Sequence, residues 1–115
     1  MSALTAWIEE LPAAVTVTAA DGTILAMNAR AREAYAAGGG DALIGTNVLD
    51  CHPEPSRTVA AGLYERQSAN HYLVTQEGHT RVVHQVPWYR GGVFAGIVEL
   101  VFSIPGPLPH HDRDA

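Results

Sequence analysis

The spacing of apolar residues near the N-terminus is helical and ends at a proline. We therefore expect an amphipathic helix from Ala3 to Leu11, stopped by Pro12. Its apolar face consists of Leu4, Trp7, Ile8 and Leu11. An apolar face on so short a helix needs a partner surface, either in the same chain or in a second one.

The next segment alternates in the manner of short strands. Val15 and Val17 alternate with Thr16 and Thr18 before the turn dipeptide Asp21-Gly22, and the apolar run from Ile24 to Met27 follows it. This pattern predicts a β-hairpin within residues 14–28. Asn28 can cap a helix over residues 29–37, which the glycines from Gly38 onwards would end. A further helix is predicted to begin at Ser56.

From His71 onwards the period is two, which predicts three antiparallel strands with turns at Gly78 and Gly91-Gly92. The last strand has one uninterrupted apolar face and one mixed face. The apolar face holds Phe94, Gly96, Val98, Leu100, Phe102 and Ile104. The mixed face holds Val93, Ala95, Ile97, Glu99, Val101 and Ser103. We expect the apolar face to lie on the core side and the N-terminal helix to cover the mixed face.

Two strands, several short helices and three long strands predict an α+β domain with one sheet and its helices gathered on one face. Residues 1–12 form the flanking helix of this prediction, and residues 13–105 form the domain. Residues 106–115 lack any periodicity, and we expect them to be a disordered tail.

Composition narrows the function classes. A chain of 115 residues is the size of one domain, and its net charge of −5 with no basic cluster argues against a nucleic-acid partner. No apolar run reaches the roughly 18 residues of a membrane span, and the N-terminus lacks a basic leader, so we expect a cytoplasmic protein without a membrane partner. A single cysteine excludes an internal disulfide and a multi-cysteine zinc site.

The stretch "NVLDCHPEPS" concentrates residues that could carry chemistry. Its Asp50, Cys51 and His52 are adjacent, however, and neighbouring side chains on one loop rarely converge on one metal ion or form a nucleophile and base pair. We interpret the stretch as a helix-breaking connection and expect no enzymatic activity. A small cavity enzyme remains an alternative, against which the opening hairpin argues.

The segment "DGTILAMNARA" from Asp21 to Ala31, followed by "LIG" from Leu43 to Gly45, resembles the PAS sensor domains. Their order and spacing match that family over essentially the whole chain. The resemblance implies a five-stranded antiparallel sheet that cups a pocket beneath short helices, to which the helix predicted at the N-terminus adds a flanking element. It also implies a domain that binds a small molecule or dimerises.

The cofactor signatures of that family are only partly present. Flavin-binding members have a cysteine directly after the asparagine of "G-x-N-C", where this chain has Val48. Haem-binding members share a "PEP" followed about five residues later by a histidine, which this chain lacks. His52 precedes the "PEP" and is the one candidate metal ligand, should haem be bound. We expect no cofactor, with a haem sensor as the alternative.

The resulting hypothesis is a sensory or regulatory module that binds a small apolar ligand, forms a homodimer, or does both, and acts on an unidentified signalling partner. A cofactor-free interaction module is a further alternative. The candidates for the ligand pocket are Cys51, His52, Tyr64, Tyr72 and His84. The candidates for the dimer interface are Leu4, Trp7, Ile8, Ile97, Glu99 and Val101.

Overall fold

The computed structural model describes residues 3–114, without the side chains of residues 3–5 and 51. The helices are α1 (Ala3–Glu9), α2 (Ala29–Ala34) and α3 (Ser56–Arg66). The strands are β1 (Ala14–Thr18), β2 (Ile24–Met27), β3 (Asn70–Gln76), β4 (His79–Arg90) and β5 (Val93–Ile104). Short 3₁₀ turns at Ala36–Gly38, Gly40–Leu43 and Val48–Cys51 connect α2 to α3.

The described strands form one antiparallel sheet in the order β2-β1-β5-β4-β3. The first and last strands are neighbours at its centre, where Ala14 pairs with Val101. The α+β class and the five-stranded antiparallel sheet with short helices are therefore confirmed. The strands begin and end close to the predicted positions, because period-two alternation and glycine turns define them locally.

The helix ends differ more from their predictions. α1 ends at Glu9 and not at Leu11, and α2 ends at Ala34 and not at residue 37. The predicted cap at Asn28 is confirmed, because its side chain accepts a hydrogen bond from the Ala31 amide. The predicted cap at Ser56 is wrong: α3 follows Pro55 without a side-chain cap.

The sheet has an inner face toward the helices and an outer face away from them. The inner face carries Thr16, Thr18, Val83, Gln85, Ile97, Glu99 and Val101. The outer face carries Val15, Val17, Val82, His84, Val86, Val98, Leu100 and Phe102. The apolar face of β5 is thus the outer one, and the prediction that it lies on the core side was wrong.

The physical reason is that alternation separates the two faces of a strand without indicating which face the helices cover. Ile97, on the mixed face, is 5% exposed, whereas Phe102, on the apolar face, is 39% exposed. The predicted cover for the mixed face was α1, but α2, α3 and the 3₁₀ turns provide the walls opposite it. The mixed face is consequently the one turned toward the helices.

The core beneath strands β1 and β2 is small. Its buried members are Ala14, Ile24, Met27 and Ala31, with Leu43, Val48 and Val101 packed against them. Asn28 lies beside this cluster and is 3% exposed. A buried amide is tolerated only when its hydrogen bonds are made, and Asn28 makes them with three neighbouring segments of backbone.

Candidate functional site

A cavity of about 520 Å³ lies between the inner face of the sheet and the helices. Its apolar lining comes from Ile24, Met27, Leu43, Val48, Leu63 and Ile97, together with several alanines of the helical segments. The volume is within the range of small-molecule sites, roughly 300–1,000 Å³. The short side chains of Ala34, Ala37 and Ala60 leave this space open, because a larger residue at any of them would project into it.

The sheet wall of this cavity also carries polar groups. The hydroxyl oxygens of Thr18 and Tyr64 lie 2.6 Å apart and join β1 to α3. The Thr18 hydroxyl also donates to the carbonyl oxygen of Ile97 at 3.1 Å. Burial raises the pKa of Tyr64 above the ordinary value.

Glu99 is the acceptor of a small hydrogen-bond network in the same wall. The Tyr35 hydroxyl donates to Oε1 of Glu99 at 2.9 Å, and the Gln85 amide donates to Oε2 at 3.0 Å. Asn70 in turn donates to Oε1 of Gln85 at 3.1 Å, which orients the Gln85 amide group toward Glu99. Burial, and secondly the negative charge of Glu99, raise the pKa of Tyr35 and of Tyr72.

A second cavity of about 520 Å³ lies beside the first on the inner face. It is more polar, and its lining includes Arg30, Tyr72, Arg81 and Ser103. Tyr35 and Glu99 line both cavities and stand where they adjoin. The Tyr35–Glu99 pair therefore separates an apolar compartment from a polar one.

His52 lies at the rim of the first cavity, on the connection between the last 3₁₀ turn and α3. Its Nδ1 atom is 2.7 Å from the carbonyl oxygen of Val48. Because a carbonyl oxygen only accepts, Nδ1 donates in this bond, and in the neutral ring the lone pair therefore lies on Nε2. The half-buried ring is thus held in one orientation beside the cavity.

The structure brings together only some of the predicted pocket residues. His52 and Tyr64 line the first cavity, and Tyr72 lines the second. His84 does not belong with them: it lies on the outer face, where its Nδ1 atom is 2.8 Å from that of His71. His84 therefore lines neither cavity. The side chain of Cys51 lies outside the described residues.

The predicted interface residues also divide. Trp7 is 61% exposed and Ile8 is half-buried, while the side chain of Leu4 lies outside the described residues. Ile97, Glu99 and Val101 face the inside of the chain's own fold, so these three do not belong to a surface open to a partner. The homodimer itself stays a prediction.

Sequence reasoning missed the residues that complete the site. Gln85, Thr18 and Tyr35 were not candidates, although Gln85 and Thr18 share the inner face with Glu99. An acid within an apolar strand was the available signal, but it was assigned to a partner surface instead of a cavity. Tyr35 follows α2 and reaches Glu99 only through the fold, so no local pattern indicates their contact.

Among the described side chains, which do not include that of Cys51, no three of the metal-ligating types lie together. Residues 3–114 contain no helix with the length and apolarity needed to cross a membrane.

Comparisons with known proteins agree with the architecture. A family model described as PAS fold matches residues 8–93. A search of curated protein sequences finds no match.

Three solved structures show the same fold at low sequence identity. A C-terminal domain from Streptococcus mutans has a TM-score of 0.70 at 20% identity, with 85% of this chain and 80% of that one covered. A sensory box sensor histidine kinase from Vibrio cholerae has a TM-score of 0.61 at 15% identity, covering 88% and 89%. A PAS domain from Colwellia psychrerythraea has a TM-score of 0.61 at 17% identity, covering 85% and 91%.

Proposed function

The chain belongs to the PAS fold family, and we propose that it is a sensory module whose first cavity binds a small, largely apolar organic molecule. The structural change on binding would be transmitted through the sheet to an unidentified signalling partner. One observation carries the proposal: the inner face and the short helices enclose about 520 Å³ with an apolar lining and a few convergent polar groups. The sensor histidine kinase among the similar structures supports a role in signalling.

The sheet offers a direct route for such a signal. Ile97 and Glu99 line the cavity, while Val98 and Leu100 of the same strand lie on the outer face. A ligand that shifts β5 therefore moves both faces together. A change of this kind alters a partner equilibrium only as far as the ligand favours one arrangement of the strand over the other.

The outer face is the surface that we propose for homodimerisation. Its aliphatic and aromatic side chains run across three adjacent strands, and Phe102 among them is 39% exposed. An apolar sheet face of this kind can be buried by a second copy of the chain. This proposal keeps Trp7 and Ile8 of α1 as interface residues and replaces Ile97, Glu99 and Val101 by residues of the outer face.

The cavity is tested with the neutral fluorophore N-phenyl-1-naphthylamine, which brightens in apolar surroundings. Wild type should bind it saturably, and Ala60→Phe, which fills space within the cavity, should weaken binding by about tenfold or more. Ala69→Phe is the matched control, because Ala69 is exposed and lines neither cavity. Equal binding by all three proteins would contradict a cavity site and favour the cofactor-free interaction module.

A further inference from the structure

We infer that Glu99 determines the class of ligand: the cavity takes a compound with an amine, amide or hydroxyl donor and rejects carboxylates. The inference rests on the proposed function, since it concerns the same cavity. It specifies the small apolar ligand of that proposal as an apolar body with one polar, donating end.

The charge of the cavity supports this class. Glu99 is the one carboxylate among the described residues that line the first cavity, and neither arginine nor lysine lines it there. The ion pair found among the described side chains joins Arg32 to Glu9 and does not include Glu99. The negative charge of Glu99 is thus countered by neutral donors and not by a cation.

The hydrogen bonds of Glu99 leave room for a further donor. A carboxylate can accept about four hydrogen bonds, two on each oxygen. Tyr35 occupies one site on Oε1, and Gln85 occupies one site on Oε2. Each oxygen consequently keeps acceptor capacity, and both cavities border the residue.

The surrounding network also fixes the polarity of the site. Asn70 donates to Gln85, and both Gln85 and Tyr35 donate to Glu99. The hydrogen bonds of this network therefore all run toward the carboxylate. A ligand donor that reaches Glu99 forms a charge-assisted hydrogen bond, which is about twice as strong as a neutral one. A ligand carboxylate would instead be desolvated beside a like charge.

Three compounds with the same ring test this specificity: benzylamine, benzyl alcohol and benzoate. Dissociation constants are measured by ¹⁵N-resolved NMR titration at neutral pH. We expect wild type to bind benzylamine and benzyl alcohol, with benzoate weaker than either by about tenfold or more. In Glu99→Gln, the affinity for benzylamine should fall about tenfold and the affinity for benzoate should rise, so that the order of affinities disappears.

Glu65→Gln is the matched control, because it removes the same charge from an exposed position of α3 that does not line the cavity. Ala60→Phe should weaken all three compounds, which locates their binding in the cavity. Circular dichroism checks that each variant is folded.

The outcomes separate the two proposals. Binding of all three compounds to wild type with equal affinity, or an order unchanged in Glu99→Gln, would overturn the role of Glu99 and leave the cavity as a site. Binding that is insensitive to Ala60→Phe, or no binding of any compound to wild type and to Glu99→Gln at millimolar concentration, would overturn the proposed function together with this inference.

Discussion

The side-chain amide of Asn28 donates a hydrogen bond to the carbonyl oxygen of Ile8 across 2.9 Å. The same amide donates to Ala13 at 2.8 Å, and its oxygen accepts from the backbone amides of Val15 and Ala31. One buried side chain thus joins α1, β1 and α2. The position of α1 relative to the sheet depends on Asn28, with further support from the ion pair between Glu9 and Arg32.

Substitution of Asn28 by alanine should destabilise the protein by about 3 kcal/mol or more, because it leaves four backbone groups in a buried region without their partner. Urea unfolding measures the change. Asn70→Ala is the control: Asn70 is half-buried and donates a single hydrogen bond to Gln85, so its loss should cost about 1 kcal/mol. Equal effects of the two substitutions would show that Asn28 does not have this structural role.

Gly96 is expected to tolerate no side chain. A Cβ atom at this position would lie 1.8 Å from the carbonyl oxygen of Thr18, and the backbone φ angle is +147°. Gly96→Ala should therefore lower the free energy of unfolding by about 3 kcal/mol or more. Gly106→Ala, where the added atom meets no neighbour, should change it by less than about 0.5 kcal/mol. Thermal unfolding of the two variants distinguishes a strained site from a general glycine effect.

Stability at alkaline pH should depend on Tyr35. Burial and Glu99 raise its pKa in the folded protein above the ordinary 10.0, so the folded state holds the phenolic proton more tightly than the unfolded state does. Its contribution to stability is fully present below the unfolded pKa and is lost as the pH rises through the folded pKa. The free energy of unfolding, measured by urea between about pH 8 and about pH 11, should fall less steeply in Tyr35→Phe than in wild type.

Tyr89→Phe serves as the control for this series. Tyr89 is 56% exposed, and this substitution removes the same hydroxyl group at a position outside the hydrogen-bond network. An identical pH dependence of wild type and Tyr35→Phe would show that folding does not raise the pKa of the Tyr35 phenol.

Haem does not fit the first cavity well, although His52 has the free Nε2 atom that an axial ligand needs. The propionates of haem are anionic, and the described lining offers them Glu99 and no arginine or lysine. We therefore expect that added haemin gives no Soret band that depends on His52, so that wild type and His52→Ala have the same spectrum. A band that appears in wild type and disappears in the variant, read between about 300 and about 700 nm, would establish the haem alternative.

Phe102 provides the test of the outer face. If this face forms a homodimer, Phe102→Glu should convert the protein to a monomer by placing a charge in the interface. Leu108→Glu makes a similar change at a residue that is 66% exposed in the C-terminal segment and should leave the dimer intact. Size-exclusion chromatography with light scattering reports both masses. A monomeric wild type would contradict the homodimer.

Much of the fold could be predicted because its signals are local. Alternation, the turn at Gly78 and the cap at Asn28 identify strands and helix starts without knowledge of their neighbours. The candidate site could not be predicted to the same extent, because it depends on which face of β5 the helices cover. The most apolar face of that strand is turned away from the helices, so the general rule that apolar residues lie inside gave the wrong side.

The contact between Tyr35 and Glu99 illustrates the remaining difficulty. Their hydrogen bond links residues that are far apart in the chain, and the strands that carry Glu99 and its partner Gln85 come after every helix. Such a contact follows from the complete topology and from no local pattern. His52 lines the cavity, and its place after the 3₁₀ turns is the local feature that made it a candidate; its role stays a prediction.

The pairing of β1 with β5 at the centre of the sheet has a consequence for the order of events during synthesis. Until β5 has left the ribosome, the other four strands can form only two separate hairpins, β1 with β2 and β3 with β4. The strand that joins the hairpins is made last, and the loop it closes spans most of the chain. The nascent protein therefore completes its sheet, and with it the cavity wall at Glu99, in one late step.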